Sequence, residues 1–192
     1  SFVNAQTFTQ TGKIYGINNT GVPSIRVMVY KRTNTTTSSM TVKVYSTHNG
    51  NGNTSQYAAY PASATEMDKL FNTAYSNTTL RWNNQMAAST CLNWSTWGTI
   101  SSAGATVPNN GEYFSTEVSG TFTAAVTGSY SFGINSDDGA DLFINGTLVT
   151  SYYGGHGMSG PIYGSISLTA GTQYTFKARM QEYGGGEGLA VV

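Results

Sequence analysis

From Val118 onward the chain is a succession of short alternating segments, and this feature constrains its fold more than any other. Thr121-Phe122-Thr123-Ala124-Ala125-Val126 is closed by Thr127-Gly128, and Tyr130-Ser131-Phe132-Gly133-Ile134-Asn135 alternates apolar with polar residues. Leu142-Phe143-Ile144 and Thr147-Leu148-Val149 flank Asn145-Gly146, the strongest short hairpin signal. Residues 162–168 and 174–180 form a further pair across Thr169-Ala170-Gly171. Parallel pairing would need crossovers of about a dozen residues between neighbours, and these connections are too short. Evenly spaced short strands without intervening helices mean an antiparallel sandwich or barrel. The predicted class is all-β: an antiparallel β-sandwich with one short helix.

That helix is readable upstream. Ser63-Ala64-Thr65-Glu66 fits a capping box after Pro61, and Met67, Leu70, Phe71, Ala74 and Tyr75 follow at helical spacing. A helix over 64–75 is predicted, with this stripe packing into the core. Trp82, Trp94 and Trp97 sit in a polar stretch and read as core, with stacking on sugar rings as the alternative. Nearer the start, residues 13–17 and 24–30 are strand-like, and Thr33 to Ser39 carries no apolar residue. A strand begins at Thr41-Val42-Lys43-Val44-Tyr45, and Asn49 to Asn53 is a loop. The expected division is therefore residues 1–39 as a strand-containing extension or linker of a larger protein, and 40–192 as the sandwich. The absence of an initial Met and the apolar run at 188–192 point the same way.

Charged residues make up only 9% of the chain, against roughly a quarter in an ordinary soluble domain, while hydrophobic residues reach 39%. Polarity comes from Ser, Thr, Asn and Gly, which suits short strands and tight turns. Net charge is zero but unevenly spread: Lys13, Arg26, Lys31, Arg32, Lys43, Lys69 and Arg81 dominate residues 1–81, and Glu112, Glu117, Asp137, Asp138, Asp141, Glu182 and Glu187 dominate 82–192. A locally acidic second part favours a bound cation and argues against a nucleic-acid surface. Cys91 is the single cysteine, so neither an internal disulfide nor a Cys-based zinc site can form. No stretch approaches the roughly 20 apolar residues of a membrane span, and no membrane insertion is expected. The Asn-x-Ser/Thr sequons at Asn18, Asn34, Asn53, Asn77, Asn93 and Asn145 are close to what this composition gives by chance.

Chemistry concentrates at Ser136-Asp137-Asp138-Gly139-Ala140-Asp141, which joins two strands. Successive side chains on an extended strand point apart, so two adjacent carboxylates could not hold one ion unless a cis peptide turned both to one side. Calcium takes roughly six to eight oxygens, so a second loop must contribute. Glu182-Tyr183-Gly184-Gly185-Gly186-Glu187-Gly188 is the supplier, because glycines let backbone oxygens approach an ion closely. An EF-hand is excluded, since Leu148 stands where its last, bidentate Glu belongs. An exposed acidic turn without an ion is the plain alternative for Asp-Asp-Gly on its own.

The run from Tyr130 to Gly146 resembles the "PA-fourteen" family, the domain named after anthrax protective antigen. Gly155-His156-Gly157, Leu168-Thr169-Ala170-Gly171 and the segment from Phe176 to Leu189 follow in the family's order. The resemblance covers residues 111–192 closely and extends from about residue 40, leaving 1–39 outside. Several members, including yeast flocculation adhesins and a bacterial ice-adhesin module, are calcium-dependent lectins whose adjacent Asp pair, in cis, holds the calcium that chelates vicinal sugar hydroxyls. The resemblance implies Asp137 and Asp138 as calcium ligands, with Glu182, Tyr183, Gly184 and Gly185 supplying further oxygens, mainly from backbone. Glu187 stands where the family more often has a small residue, so it is either a third acidic ligand or a group crowding the sugar site. His156 reads as a hydrogen-bonding loop residue. Tyr152, Tyr153, Tyr183 and Glu187, with the Asp pair, are the candidate sugar contacts; for Tyr152 and Tyr153 packing is the equal alternative.

The expected function is that of a calcium-dependent carbohydrate-binding module, a lectin or adhesin, in an extracellular or surface-displayed protein, with glycans bearing vicinal hydroxyls as partners. The competing reading is a structural or interaction module of a fibre, adhesin stalk or virion coat, packed on neighbouring subunits. No catalytic site is expected. A glycosidase needs two carboxylates flanking a cleft, which an adjacent ion-binding pair is not, and no nucleophile elbow, phosphate loop or zinc-protease motif occurs.

Overall fold

The computed structural model describes residues 8–10, 30–32, 39–46, 60–74, 78–106 and 111–192. In chain order these form β1 (Phe8–Gln10), β2 (Tyr30–Arg32), β3 (Ser39–Ser46), α1 (Ala64–Lys69), β4 (Thr79–Ala87), α2 (Ala88–Cys91), β5 (Asn93–Trp94) and α3 (Trp97–Ser102). There follow β6 (Phe114–Thr123), β7 (Gly128–Asp137), β8 (Ala140–Ile144), β9 (Thr147–Tyr152), β10 (Ile162–Leu168), β11 (Gln173–Glu182) and β12 (Gly188–Val191). One sheet has the order β4-β3-β6-β11-β8-β9 and another the order β10-β7-β12-β5, every pair antiparallel. A single core cluster draws on both, with Val44, Phe114, Ile134, Leu142, Met180 and Leu189 fully buried. This is the antiparallel β-sandwich predicted from the alternation.

The strands confine polar residues to one parity and apolar residues to the other, as a half-buried pleated surface requires. In β11 the even positions Phe176, Ala178 and Met180 enter the core, and Glu182 continues their row. The two sheets close on each other along one side, where Thr150 Oγ1 donates to the Ile162 carbonyl at 3.0 Å. A Cβ at Gly164 would come within 1.8 Å of the Val149 carbonyl oxygen, so only glycine permits that seam. The other side is closed by α2, between the ends of β4 and β5. Cys91 lies there, buried, and burial pushes its thiol up to about 12, which makes it a packing residue.

The predicted helix is present as α1, shorter than the 64–75 stripe, with turns continuing to Ala74. Ser63 accepts from the Glu66 N–H, while Glu66 reaches back to the Ala62 N–H at 2.7 Å. Two further short helices, α2 and α3, accompany it. The strand read at 13–17 and the loop at 49–53 lie outside the described residues, and the strand read at 24–30 and the polar run at 33–39 lie outside them except for Tyr30 and Ser39. β2 overlaps the 24–30 strand only at Tyr30, and its sole described partner is β1.

The outward face of β11 carries Arg179, only 2% exposed. Its Nε and Nη2 donate to the two oxygens of buried Asp141 at 2.8 and 2.6 Å, and its Nη1 meets Asp68 of α1 at 2.5 Å. The rings of Phe71 and Phe143 lie 5.3 and 5.0 Å from the guanidinium. Met67 and Leu70 pack alongside with Phe71 and Tyr153. The Asp68 contact, together with the packing of Met67, Leu70 and Phe71, ties α1 to the sheet. Removing one partner of a buried pair leaves the other charge uncompensated, so Asp141→Ala should cost about 3–5 kcal/mol in chemical denaturation. Asp68 is 66% exposed at its side chain, and Asp68→Ala should cost about 1 kcal/mol or less in the same measurement.

Candidate cation and ligand site

The chain crosses between the sheets at two neighbouring places: from β7 to β8 through Asp138-Gly139, and from β11 to β12 through residues 183–187. Backbone bonds tie the crossings together, Asp138 N–H to the Gln181 carbonyl at 3.1 Å and Gln181 N–H to the Gly139 carbonyl at 2.8 Å. The Asp137-Asp138 peptide is cis, as the need to turn two adjacent carboxylates to one side anticipated. Asp137, Asp138 and Glu182 each present a carboxylate oxygen, and these oxygens all lie within 4.8 Å of one another.

The three carboxylates differ in how they are held. Asp138, 5% exposed, accepts the His156 N–H on one oxygen at 3.0 Å and the Tyr183 N–H on the other at 3.1 Å. Asp137 ends β7 and is half-buried; a Cβ on Gly186 would stand 2.8 Å from its Oδ2, so glycine is what lets the loop pass over it. Glu182 is fully buried, and neither of its carboxylate oxygens has a hydrogen-bond partner among the described residues. Burial, reinforced by Asp138, Asp137, Glu112 and Glu187, pushes its carboxyl up to about 9. Burial and then its neighbour's charge raise Asp137, and burial raises Asp138 against the pull of the two N–H donors.

A hard divalent cation fits this donor set. Three carboxylates converge, one of them orphaned in the interior, and oxygen-only ligation suits calcium rather than a thiolate- or imidazole-preferring metal. The side chain of Glu182 is the surprise, since the sequence suggested mainly backbone oxygens from its loop. The signal was present: Glu182 has the parity of Phe176, Ala178 and Met180.

The remaining candidates divide. Tyr183 stands beside the cluster, its ring 5.2 Å from Tyr60 and 5.3 Å from Tyr113. Tyr152, the last residue of β9, stacks on the His156 imidazole at 3.5 Å. Both His156 ring nitrogens face carbonyl oxygens, of Gly157 and Tyr152, and only its backbone N–H touches Asp138. Of the two readings open for Tyr153, the structure takes packing: its hydroxyl donates to Asp141 at 3.0 Å and its ring joins the α1 cluster. Glu187 accepts the Trp97 N–H at the start of α3, which directs its carboxylate to a helix end. Gly185 donates its N–H to Glu112 at 3.0 Å. Glu112 and Tyr60 had no motif around them and were missed, because contacts alone bring them here. Trp94 is buried core and Trp97 packs edge-on against Phe114 at 4.9 Å, in keeping with the core reading of both.

Because the folded state holds Glu182 protonated well above the ordinary carboxylate range, it binds a proton that the unfolded chain releases. Stability of the metal-free protein therefore falls as pH rises from about 4.5 toward about 9, by roughly 1.4 kcal/mol per unit from this group. Thermal melts in chelator should show a lower Tm at pH 8 than at pH 5.5, and saturating calcium should remove that slope.

The sequence model of the PA14 domain matches residues 44–191. Among solved structures, the chain is similar to a PA14 sugar-binding domain from an RTX adhesin, with 18% identity and TM-score 0.56, over 80% of this chain and 87% of that one. It is similar also to the A domain of epithelial adhesin 6 from Candida glabrata, solved in complex with Galβ1-3GlcNAc, with 15% identity and TM-score 0.55, over 79% and 77%. A third, an anti-sigma factor domain-containing protein, matches at 14% identity and TM-score 0.52, and the chain spans only 40% of its length. At such identities the likeness is one of fold. No curated protein matches the sequence.

Proposed function

The chain belongs to the PA14 domain family, and from that membership we propose that it is a calcium-dependent carbohydrate-binding module of a secreted or surface-displayed adhesin, without catalytic activity of its own. On this reading residues 40–192 make up the binding module and residues 1–39 an N-terminal extension outside it. The observation that supports the reading best is Glu182, a buried carboxylate with neither proton donor nor counter-charge on it among the described residues, facing Asp137 and Asp138. Burying such a group without compensation is costly, and a bound cation converts the cost into affinity.

In this reading Asp137, Asp138 and Glu182 are the side-chain ligands, and carbonyls of the Tyr183-Gly184-Gly185 stretch complete the protein's share of the shell. Calcium supplies open positions at which two vicinal hydroxyls of a sugar replace two waters. Asp138 is held at both oxygens by backbone N–H groups, so it stays in place whether or not an ion is bound. Gly186 leaves the space beside Asp137 that a side chain would fill. Adhesin domains of like fold, one solved with a galactose-containing disaccharide, support sugars as the ligand class.

Calcium at 100 times its Kd should add roughly 2.7 kcal/mol of stability to the folded chain. Glu182→Gln removes the group that must take up a proton on folding at pH 8, so it should raise Tm in chelator at that pH and abolish the calcium shift. Asp138→Ala should abolish calcium-dependent binding on a glycan array while the sandwich stays folded. An unchanged Tm on adding calcium to the wild type would sink the cation site, and a calcium shift without any glycan binding would favour the structural-module reading.

A further inference from the structure

We infer that Tyr60, a residue outside the two ion-site loops, is the stacking platform of the sugar site, and that the site accepts neutral rather than acidic sugars. The inference rests on the sugar-binding reading above. Tyr60 immediately precedes the segment that α1 anchors, and it is held where both loops around Asp138 meet. Its ring lies 5.2 Å from that of Tyr183, whose N–H is on one Asp138 oxygen. On the other loop, a Cβ at Gly155 would fall 2.6 Å from Tyr60 Cε1, so the ring rests directly on that glycine's backbone. The next residue, His156, gives its N–H to the other Asp138 oxygen. The Gly154 N–H donates to the Pro61 carbonyl at 3.1 Å and closes the arrangement.

Despite these contacts the residue is 40% exposed, far more than a core aromatic. A tyrosine packed on both ion-site loops yet open to solvent is a ready surface for the C–H face of a pyranose whose hydroxyls point at the cation. Among the described residues the other exposed ring, Tyr163, belongs to β10 and covers Gly133, on a strand face. Tyr60 is the exposed ring at the carboxylates among the described residues.

The second half of the inference is electrostatic. Glu112 holds the Gly185 N–H and Glu187 holds the Trp97 N–H, and the charges of both reach Glu182. Together with Asp137, Asp138 and Glu182 they outnumber the two charges of one divalent cation, so the loaded rim stays negative. A uronate or sialate would then approach against a repulsive field in a partly desolvated site. His156 sets at most one positive charge against Asp137 and Asp138, which leaves the sum negative, and both its ring nitrogens are turned to carbonyl oxygens.

The test uses the calcium-loaded 192-residue chain, titrated with methyl mannoside, methyl galactoside, fucose, glucuronate and N-acetylneuraminate. We expect at least one neutral sugar to bind and neither acid to do so. Tyr60→Ala should weaken the neutral sugar by roughly tenfold and Tyr60→Phe by less than twofold. Calcium affinity, followed by the Tm shift, should be unchanged in both, which separates a lost platform from a damaged ion site. Retained sugar affinity in Tyr60→Ala, or an acid that binds as well as a neutral sugar, overturns this inference and leaves the sugar-binding reading standing. A wild-type chain that binds calcium and none of the probes overturns both.

Discussion

An ionised carboxylate cannot stand alone in a protein interior, and Glu182 is placed where one would have to. It ends the row of Phe176, Ala178 and Met180 on the inner face of β11, fully buried. Only a proton or a cation satisfies it, and each choice has consequences for the loops around it. Protonated, it leaves Asp137 and Asp138 facing each other's charge. Paired with a cation, all three carboxylates become ligands and the two inter-sheet crossings are drawn to one point. The fold brings those crossings together by backbone bonds between Asp138, Gly139 and Gln181. The acidic cluster is thus built from the joints of the sandwich, the places where the chain leaves one sheet for the other.

The opposite face of the same strand does complementary work. Arg179 points outward, and its charge is met by Asp141 and Asp68, with the rings of Phe71 and Phe143 nearby. The Asp68 contact and the apolar packing of Met67 and Leu70 hold α1 on the sheet, and the segment just before α1 delivers Tyr60 to the loops around Asp138. One strand therefore orients the cluster from inside through residue 182 and the rim from outside through residue 179. Alternation along β11 is what lets a single element serve both, since adjacent parities lead to different environments.

Much of this was legible in the sequence and some was not, for physical reasons. The strands from Val118 on, the Asn145-Gly146 hairpin and the Ser63 cap are local patterns, and each has its element in the structure. The Asp137-Asp138 cis geometry followed from a requirement that two adjacent carboxylates share one side. What escaped depends on long-range contacts. α3 takes its N-terminal hydrogen bond from Glu187, ninety residues away, so no local capping box marks it. β12 was read only as an apolar run, because four residues carry too little alternation to declare a strand. Glu112 and Tyr60 reach the site through pairing partners that sequence spacing does not encode. Tyr153 was ambiguous because an adjacent tyrosine pair gives each parity one ring, and only the structure shows which ring turns to α1.

On the proposed reading, the division between a buried ion site and an exposed rim also decides how recognition could change. Replacing two waters by two hydroxyls gains little, so calcium alone gives affinity on the order of millimolar and almost no choice between sugars. Choice must come from side chains that touch the sugar without supporting the core. Tyr60 fits that description, being exposed and set apart from the main core cluster. Glu182 does not, since changing it alters the interior. A rim residue can therefore vary at small cost to stability while the carboxylate cluster is held by the fold. Weak single-site affinity then makes useful adhesion depend on many modules engaging one surface at once, where effective concentration rather than any added contact raises the strength of attachment.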